Sequence, residues 1–338
     1  YDAACRVGAM LGGATAYARG FHPTGVCGVF GAAAAAGRIV GLSSEQMVSA
    51  FGIAATAACG SMEYLSDGAW TKRLNPALAA TNGIMAARLA AAGFGGPKTA
   101  LEGRSGFLWS YGTPESLART DIPFELGEGI RDSSVKLYPC CRYIHGCVDL
   151  LIDMAGTEQL EPERIEAVGC GVLSAGMGLI AEPIEQKRVI RSEVDAQFSM
   201  PFAAALALTH RRATLEDFQS GPERARELAP LMARVACYTS ESVDDGYPQR
   251  WAAEAWVRTD DGRTLRRNAD GFRGSPLFPA SWDDVRAKAE GLIGPERAGR
   301  LARVCRAFTG TDSEAARSLA TLRADSYDPS GRQAIATS

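Results

Sequence analysis

Gly20-Phe21-His22-Pro23-Thr24-Gly25 leads directly into a run of small side chains over residues 26–37. Alanine has the highest helix propensity of any residue, so this run predicts a helix over residues 28–40. Because alanine and glycine allow neighbouring helices to approach closely, the helix belongs in a compact helical core. His22, one of only three histidines in the sequence, lies at the N-terminal end of this helix.

The position of His22 supports two interpretations. A helix N-terminus carries a partial positive charge and free N–H groups, so an imidazole beside it is well placed to exchange protons with a bound anion. A single histidine before a proline is also a common capping or packing residue. The choice between these interpretations depends on partner residues elsewhere in the chain.

A second polar segment, about fifty residues further along, precedes another helix of small residues. Asn75 followed by Pro76 is typical of an N-cap and a first helical residue, so we expect a helix over residues 74–92. Three polar residues then lie in the loop before that helix: Thr71, Lys72 and Arg73. The two cations are either part of an anion-binding site or an ordinary solvated pair.

The segment 136–146 concentrates polar and nucleophilic side chains. Arg142 has a planar guanidinium that binds a carboxylate through two parallel hydrogen bonds, so it is a candidate substrate ligand. His145 is either a second acid/base residue or the cap of a helix that begins near Gly146. Cys140 and the cysteine after it either pack in the interior or line the substrate site, because a nucleophilic thiol needs a base within reach.

Composition excludes several classes of protein. With 338 residues, 46% of them hydrophobic and 22% charged, the chain is large enough for two globular domains. A formal net charge of -3 without a basic face argues against a nucleic-acid partner. Apolar runs are shorter than the roughly 20 residues of a membrane span, so we expect no membrane partner. Nine scattered cysteines without paired CxxC motifs indicate reduced thiols, a cytoplasmic protein and no metal site.

The second half of the chain changes to strand patterns. Residues 164–172 alternate at period two, and residues 232–239 form a second candidate strand. Residues 255–265 predict a hairpin that turns at Asp261-Gly262. Two helical patterns lie between these strands, at residues 147–156 and 201–209. We therefore expect a fold that is mainly α with a smaller α+β part.

Seven collinear segments carry a resemblance to one family: residues 20–25, 31–41, 70–74, 93–97, 101–107, 136–145 and 195–202. They resemble the MmgE/PrpD family, which includes 2-methylcitrate dehydratases, cis-aconitate decarboxylases and iminodisuccinate epimerases. The resemblance implies an all-helical domain into which a smaller α+β lid domain is inserted. It also implies a homodimer that works without a metal or another cofactor.

The sequence patterns and the resemblance together divide the chain into four parts. These are a helical domain over residues 1–134, the α+β lid over residues 135–270, a return to the helical domain over residues 271–325, and a frayed tail over residues 326–338. Within the return segment, Ser281 with Asp284 predicts the start of a helix. Gly294-Pro295 interrupts that helix, and a second helix follows over residues 296–308.

Two departures from the family pattern bear on the site. Members usually carry, upstream of the His-Pro-Thr motif, a helical segment with an Asp-Asp-x-x-His element that contributes to the active site. No such element occurs in this sequence, so we expect part of the site either to lie upstream of Tyr1 or to be lost. Many members also have a histidine where this chain has Asn75, which forms hydrogen bonds but does not titrate.

Nine residues are candidates for the site. His22 and Lys72 are the candidate catalytic residues, and the candidate substrate-binding residues are Thr24, Thr71, Arg73, Asn75, Cys140, Arg142 and His145. Such a set suits removal of a proton next to a carboxylate, with cations stabilising the enediolate-like charge. We expect a metal-independent lyase of the 2-methylcitrate dehydratase type that eliminates a β substituent from a small di- or tricarboxylate. An iminodisuccinate epimerase-like isomerase, a decarboxylase, and a catalytically silent binding or assembly protein remain open alternatives.

Overall fold

A computed structural model describes residues 1–121, 125 and 127–307 of the chain. The frayed tail expected over residues 326–338, and the helix end expected at Phe308, lie outside these residues. Within them the fold is mainly helical, with one small mixed sheet, which confirms the expected fold class.

The first part of the chain is helical throughout. Its helices are α1 (Asp2–Leu11), α2 (Gly13–Ala18), α3 (Pro23–Val40), α4 (Ser44–Thr56), α5 (Tyr64–Asp67), α6 (Thr71–Ala91), α7 (Phe107–Tyr111), α8 (Pro114–Leu117) and α9 (Glu128–Arg131). Ser43 with Gln46 three residues later predicts a capping box before α4, and the structure has it, because the two residues exchange hydrogen bonds between side chain and backbone.

The helix α3 lies at the centre of this part and packs most extensively against α6. A Cβ atom added to Gly83 of α6 would lie 2.4 Å from Cβ of Ala32 and 2.6 Å from the carbonyl oxygen of Val29. The two helices therefore approach each other more closely than larger side chains allow. This contact confirms the expected compact core of small residues.

By length and composition α3 is also apolar enough to cross a membrane. Its apolar side has another explanation, because Val26, Val29, Phe30 and Ala33 are fully buried against α1, α4 and α6. The helix begins at Pro23, five residues earlier than expected, since proline has no N–H to lose and a φ angle suited to the first helical position.

The start of α6 contradicts the expected N-cap at Asn75. The helix begins at Thr71, and the N–H of Arg73 already donates to the carbonyl oxygen of Trp70 at 2.9 Å. Pro76 lies inside the helix, where its missing N–H leaves only one carbonyl group without a helical partner. Lys72 is consequently in the first turn of α6, on the same face as Asn75 three residues later.

The second part of the chain surrounds a four-stranded sheet with the order β2-β1-β3-β4. The strands β1 and β2 are parallel, and the other two neighbouring pairs are antiparallel. The elements are α10 (Arg142–Thr157), β1 (Ile165–Gly171), α11 (Ser174–Ile180), α12 (Ile184–Lys187), α13 (Glu193–Gln197), α14 (Met200–His210), α15 (Leu215–Gln219), α16 (Gly221–Met232), β2 (Val235–Tyr238), α17 (Glu241–Asp244), β3 (Ala253–Thr259) and β4 (Thr264–Ala269).

The expected hairpin between β3 and β4 is confirmed, with Gly262 at a positive φ of 84° in its turn. The helix α10 lies against β3 and β4, and α14 lies against β2. Nine of the eleven residues of α14 are buried, so this helix is part of the hydrophobic core beneath the sheet.

The start of α10 corrects the expected helix start near Gly146. Cys141 is the N-cap and Arg142 the first helical residue, so His145 lies inside the helix and does not cap it. Gly146 is tolerated within the helix because α10 crosses β3 closely there. A Cβ atom at that position would lie 2.5 Å from Cβ of Ala253.

Two further helices, α18 (Trp282–Ile293) and α19 (Pro295–Ala307), follow the sheet and pack against each other. Ser281 and Asp284 form the expected capping box at the start of α18. Arg273 lies near Asp149 of α10 and Asp284 of α18, and so connects this segment to the α+β part. The division into domains at residues 134, 270 and 325, with these helices returning to the helical domain, remains a proposal.

Candidate functional site

His22 is held in place by its backbone and by one side chain of α6. It is the N-cap of α3, and its own N–H donates to the carbonyl oxygen of Gly60 at 2.9 Å. Asn75 places Nδ2 3.3 Å from Nδ1 of His22 and also donates to the carbonyl oxygen of Ser61 at 3.1 Å. The structure therefore brings together two candidates that lie 53 residues apart in the sequence.

Lys72 lies beside His22 in a half-buried environment. Its Nζ is 5.2 Å from the centre of the Phe198 ring, which belongs to the α+β part of the chain. Burial lowers the pKa of Lys72, and the charge of Lys136 lowers it further. A half-buried cation whose pKa is lowered in this way gains stability from an incoming anion.

The pKa of His22 is lowered to about 4, first by burial and then by the charges of Lys72 and Lys136. At neutral pH its imidazole is therefore uncharged. The two lysines supply the positive charge of the site, and His22 supplies a neutral ring at the start of α3. This combination attracts carboxylates without any further charge from the histidine.

Lys136 belongs to the site, although it was not among the predicted residues. Its Nζ donates to the carbonyl oxygen of Cys140 at 3.1 Å, and its charge influences both His22 and Lys72. The residue does fall within the motif at residues 136–145 that carries the family resemblance. A single lysine ahead of an arginine and a histidine has no local pattern that distinguishes it from an ordinary surface residue.

Tyr64 is a second residue that the sequence did not reveal. It is buried in the short helix α5, and its ring lies 5.9 Å from that of His22 and 6.3 Å from that of Phe198. Burial, with smaller effects of Tyr17 and Cys141, raises the pKa of its phenol. Tyr64 therefore remains a neutral hydroxyl beside the imidazole, and no periodic pattern in its neighbourhood pointed to it.

The two adjacent cysteines of the site are buried thiols. Burial raises the pKa of both Cys140 and Cys141, and the charge of Lys136 only partly opposes this effect. The thiols are therefore protonated near neutral pH and are weak nucleophiles. In the structure all nine cysteines are free thiols.

Arg142 is the first residue of α10 and contacts an aromatic ring. Its guanidinium is stacked 3.7 Å from the centre of the Trp251 ring. It lines a different cavity, of about 430 Å³, whose other polar walls include Asp132, Ser134 and Asp270. The structure thus gives Arg142 an aromatic partner and an open cavity, and its charge acts on His145.

His145 is an interior residue of the α+β part. Its side chain is fully buried between the rings of Tyr138 and Phe272, at 5.2 Å and 5.4 Å. Neither ring nitrogen makes a hydrogen bond of normal geometry, and burial lowers the pKa of His145 to about 3. The imidazole is consequently neutral and enclosed, which separates it from the site around His22.

The remaining candidates lie at the first turns of two helices. Thr24 of α3 and Thr71 of α6 are both exposed. Arg73 binds a protein carboxylate, because its Nη2 lies 2.5 Å from Oε1 of Glu193 in α13. That ion pair connects the helical part to the α+β part next to Lys72.

As a whole the site has two sides. The helical part contributes His22, Lys72 and Asn75, whereas Lys136 and Phe198 come from the α+β part. In residues 1–121, 125 and 127–307, no group of three or more histidine, cysteine, aspartate or glutamate side chains is close enough to hold a metal ion. The side chains that gather here suit a small anion with more than one carboxylate.

Two profiles of one family match the sequence. A profile of the MmgE/PrpD N-terminal domain matches residues 1–120, and one of the C-terminal domain matches residues 138–303. The chain belongs to the MmgE/PrpD family. The resemblance found in the sequence motifs is therefore confirmed. Residues 121–137, which include Lys136, lie between the two matched regions, and the second region begins at Tyr138.

Several relatives in the MmgE/PrpD family align with most of this chain. A cis-aconitate decarboxylase of Aspergillus terreus is 26% identical over 286 residues, which is 80% of this chain and 57% of the relative. A cis-aconitate decarboxylase-like protein oryM of Aspergillus oryzae is 26% identical over 89% of this chain and 65% of the relative. The cis-aconitate decarboxylase of Mus musculus is 27% identical over 79% and 54%. The chain thus spans less than two thirds of the length of these relatives.

Proposed function

We propose that this MmgE/PrpD protein is a lyase that acts on a small di- or tricarboxylate. The observation that carries the proposal is that the charges of Lys72 and Lys136 both act on the neutral imidazole of His22. Two cations match two carboxylates of one small substrate. The lowered pKa of Lys72 indicates that its charge is poorly compensated by the protein and is better compensated by a bound anion.

The chemistry follows from where negative charge develops. When a proton or carbon dioxide leaves a carbon next to a carboxylate, the electron pair of the broken bond stays on that carbon. It then spreads into the carboxylate as an enediolate-like anion. Lysine cations fixed beside that position stabilise this charge more in the transition state than in the substrate. Because the cations carry this role, we propose that no metal ion takes part, and dialysis against a chelator should leave turnover unchanged.

Loss of carbon dioxide is the first candidate reaction. The carbon–carbon bond to a carboxylate breaks, its electron pair stays on the remaining carbon, and a proton then adds to that carbon. Support comes from the relatives, which are named cis-aconitate decarboxylases. These relatives are about a quarter identical to the chain over the aligned residues, so the exact substrate is proposed only as an unsaturated tricarboxylate of this kind.

Dehydration of the 2-methylcitrate type is the second candidate. It removes a proton from the carbon next to a carboxylate and expels hydroxide from the neighbouring carbon, and it uses the same two cations. Epimerisation of an amino or imino dicarboxylate shares its first step. What favours decarboxylation over both is that a neutral histidine with a pKa of about 4 is a weak base for removing a carbon-bound proton.

The test is turnover of a panel of unsaturated, hydroxy and amino polycarboxylates, followed by ultraviolet absorbance and by release of carbon dioxide. Lys72→Met should reduce kcat/KM about 100-fold or more, since truncating one member of a buried charge pair costs several kcal/mol. Lys98→Met, at an exposed position away from the site, is the matched control and should leave turnover unchanged. If no carboxylate in the panel reacts, the protein is a catalytically silent member of its family.

The quaternary state and location also enter the proposal. We propose a homodimer in the cytoplasm, and the support is an exposed apolar stripe along the outer face of α6: Leu74, Leu78, Ile84 and Met85. Apolar stripes of this kind are typical of subunit interfaces. Sedimentation analysis should give twice the mass of the chain, and a charged residue at Leu78 should shift the protein toward the monomer.

A further inference from the structure

The amide of Asn75 has one orientation. Its Nδ2 lies 3.1 Å from the carbonyl oxygen of Ser61, and a carbonyl oxygen only accepts hydrogen bonds. The group that faces Ser61 must therefore be the NH2 group, because the amide oxygen would meet another acceptor there. Close packing keeps the side chain in this position, since a Cβ atom on Gly25 would lie 3.3 Å from Cβ of Asn75.

The second hydrogen of the same NH2 group is available to His22. Nδ2 lies 3.3 Å from Nδ1 of the imidazole, and Asn75 has no acceptor to offer at that point. Nδ1 must then supply a lone pair and carry no hydrogen. A neutral imidazole has one protonated nitrogen, so its hydrogen is on Nε2.

The charges around the imidazole favour the same state. A second proton on Nδ1 would face the amide N–H of Asn75 and would add a charge next to Lys72 and Lys136. Tyr64, at the edge of the ring, is a neutral phenol and provides no compensating charge. The cationic form of His22 is therefore disfavoured from each of these sides.

We propose that Asn75 is a positioning residue that locks His22 in the neutral tautomer with its hydrogen on Nε2. In the lyase reaction proposed above, on which this role depends, His22 then acts as a hydrogen-bond donor to the negative charge that develops on the substrate. It does not act as the base, because accepting a proton at Nε2 would first require moving the hydrogen to Nδ1 and breaking the bond from Asn75.

The first experiment reads the tautomer directly by nuclear magnetic resonance on protein labelled with 15N-histidine. The sequence has only three histidines, and His210→Gln with His145→Phe assigns their signals. Between about pH 6 and pH 8, His22 should show an unprotonated Nδ1 and a protonated Nε2. A protonated Nδ1 in the unaltered protein overturns the proposal.

The second experiment changes the partner. Asn75→Asp replaces a donor by a pure acceptor, so the hydrogen of His22 should move to Nδ1 and kcat should fall about 100-fold or more, as a wrong histidine tautomer causes. Asn82→Asp is the matched control, because Asn82 lies on the same helix and also donates to a backbone carbonyl, that of Ala57, without touching a histidine. The control should leave the tautomer of His22 unchanged.

Asn75→Ala keeps the proposal testable if the aspartate variant does not fold. It removes the donor without adding charge, so both tautomers of His22 should become populated. An unchanged Nε2–H tautomer in this variant overturns the role of Asn75. These spectra are recorded without substrate, so they test the tautomer separately from the activity. An inactive protein with the predicted tautomer would contradict only the proposed lyase activity. A protein with the opposite tautomer would contradict the role of Asn75, whether or not the protein is active.

Discussion

Gly83→Ala tests whether the contact between α3 and α6 is as close as the structure indicates. On an open helix surface, replacing glycine with alanine stabilises a protein by about 0.5 to 1 kcal/mol. At Gly83 the added methyl group would lie 2.4 Å from Cβ of Ala32, 2.6 Å from the carbonyl oxygen of Val29 and 2.7 Å from the nitrogen of Ala33. Two of these three atoms belong to backbone and have no rotamer by which to move away.

The size of the effect follows from these distances. Carbon atoms in contact lie about 3.5 to 4.0 Å apart, so α3 and α6 must separate by about 1 Å to admit the methyl group. Overpacking of this kind costs about 1 to 3 kcal/mol, which outweighs the gain in helix propensity. We expect Gly83→Ala to lower the free energy of unfolding by about 1 to 2 kcal/mol. It should also reduce turnover, because the shift separates His22 from Asn75.

The assay is urea denaturation followed by circular dichroism, with Gly156→Ala as the control. Gly156 lies in α10, and a Cβ atom there would have no neighbour within 4 Å, so this variant should be slightly stabilised. The two variants should therefore change the transition midpoint in opposite directions. The reasoning is refuted if Gly83→Ala stabilises the protein as much as Gly156→Ala does.

Three other predictions concern charge. Burial lowers the pKa of His145 to about 3, below its unfolded value, so the free energy of unfolding should fall as pH decreases below about 6.5. The slope should be at most about 1.4 kcal/mol per pH unit, and His145→Phe should remove it in urea titrations at several pH values. The ion pair of Arg73 with Glu193 is half exposed on the arginine side, so a double-mutant cycle should give a coupling below about 1 kcal/mol that shrinks in high salt; a larger coupling would show a buried pair. Catalysis should require protonated Lys72, so kcat/KM should fall as pH rises through the lowered pKa of Lys72. Lys72→Arg should move this alkaline limb of the pH profile to higher pH. If the limb does not move, it belongs to the titration of another group.

Much of the fold could be predicted because its signals are local. The run of alanine and glycine in α3, the capping box at Ser43 and the turn at Gly262 each depend on a few adjacent residues. Such patterns act through propensity, capping and φ angles, which do not need knowledge of distant neighbours. The family assignment was predictable for a similar reason, since its motifs are contiguous.

The errors arose where distant partners decide the outcome. Asn75 before Pro76 has the local pattern of an N-cap, yet its amide binds Ser61 and His22, and the helix begins earlier at Thr71. The packing of α10 against the sheet encloses His145, a placement that adjacent residues do not report, and its role as a substrate ligand stays a prediction. The proximity of Lys136 and Tyr64 to His22 depends on contacts across about 40 to 110 residues of sequence, which no local pattern reports. The site roles themselves stay predictions until they are measured.

The close contact of small residues between α3 and α6 has a consequence for substrate selectivity. Alanine and glycine lose no side-chain rotamer entropy when they are buried, so this contact forms without that cost. For the same reason it has no rotamers by which to rearrange when a substrate of different shape enters. His22 and Asn75 therefore belong to two helices whose contact does not adapt to the shape of the substrate. Any tolerance of the protein toward other substrates must then come from the long, flexible side chains of Lys72 and Lys136.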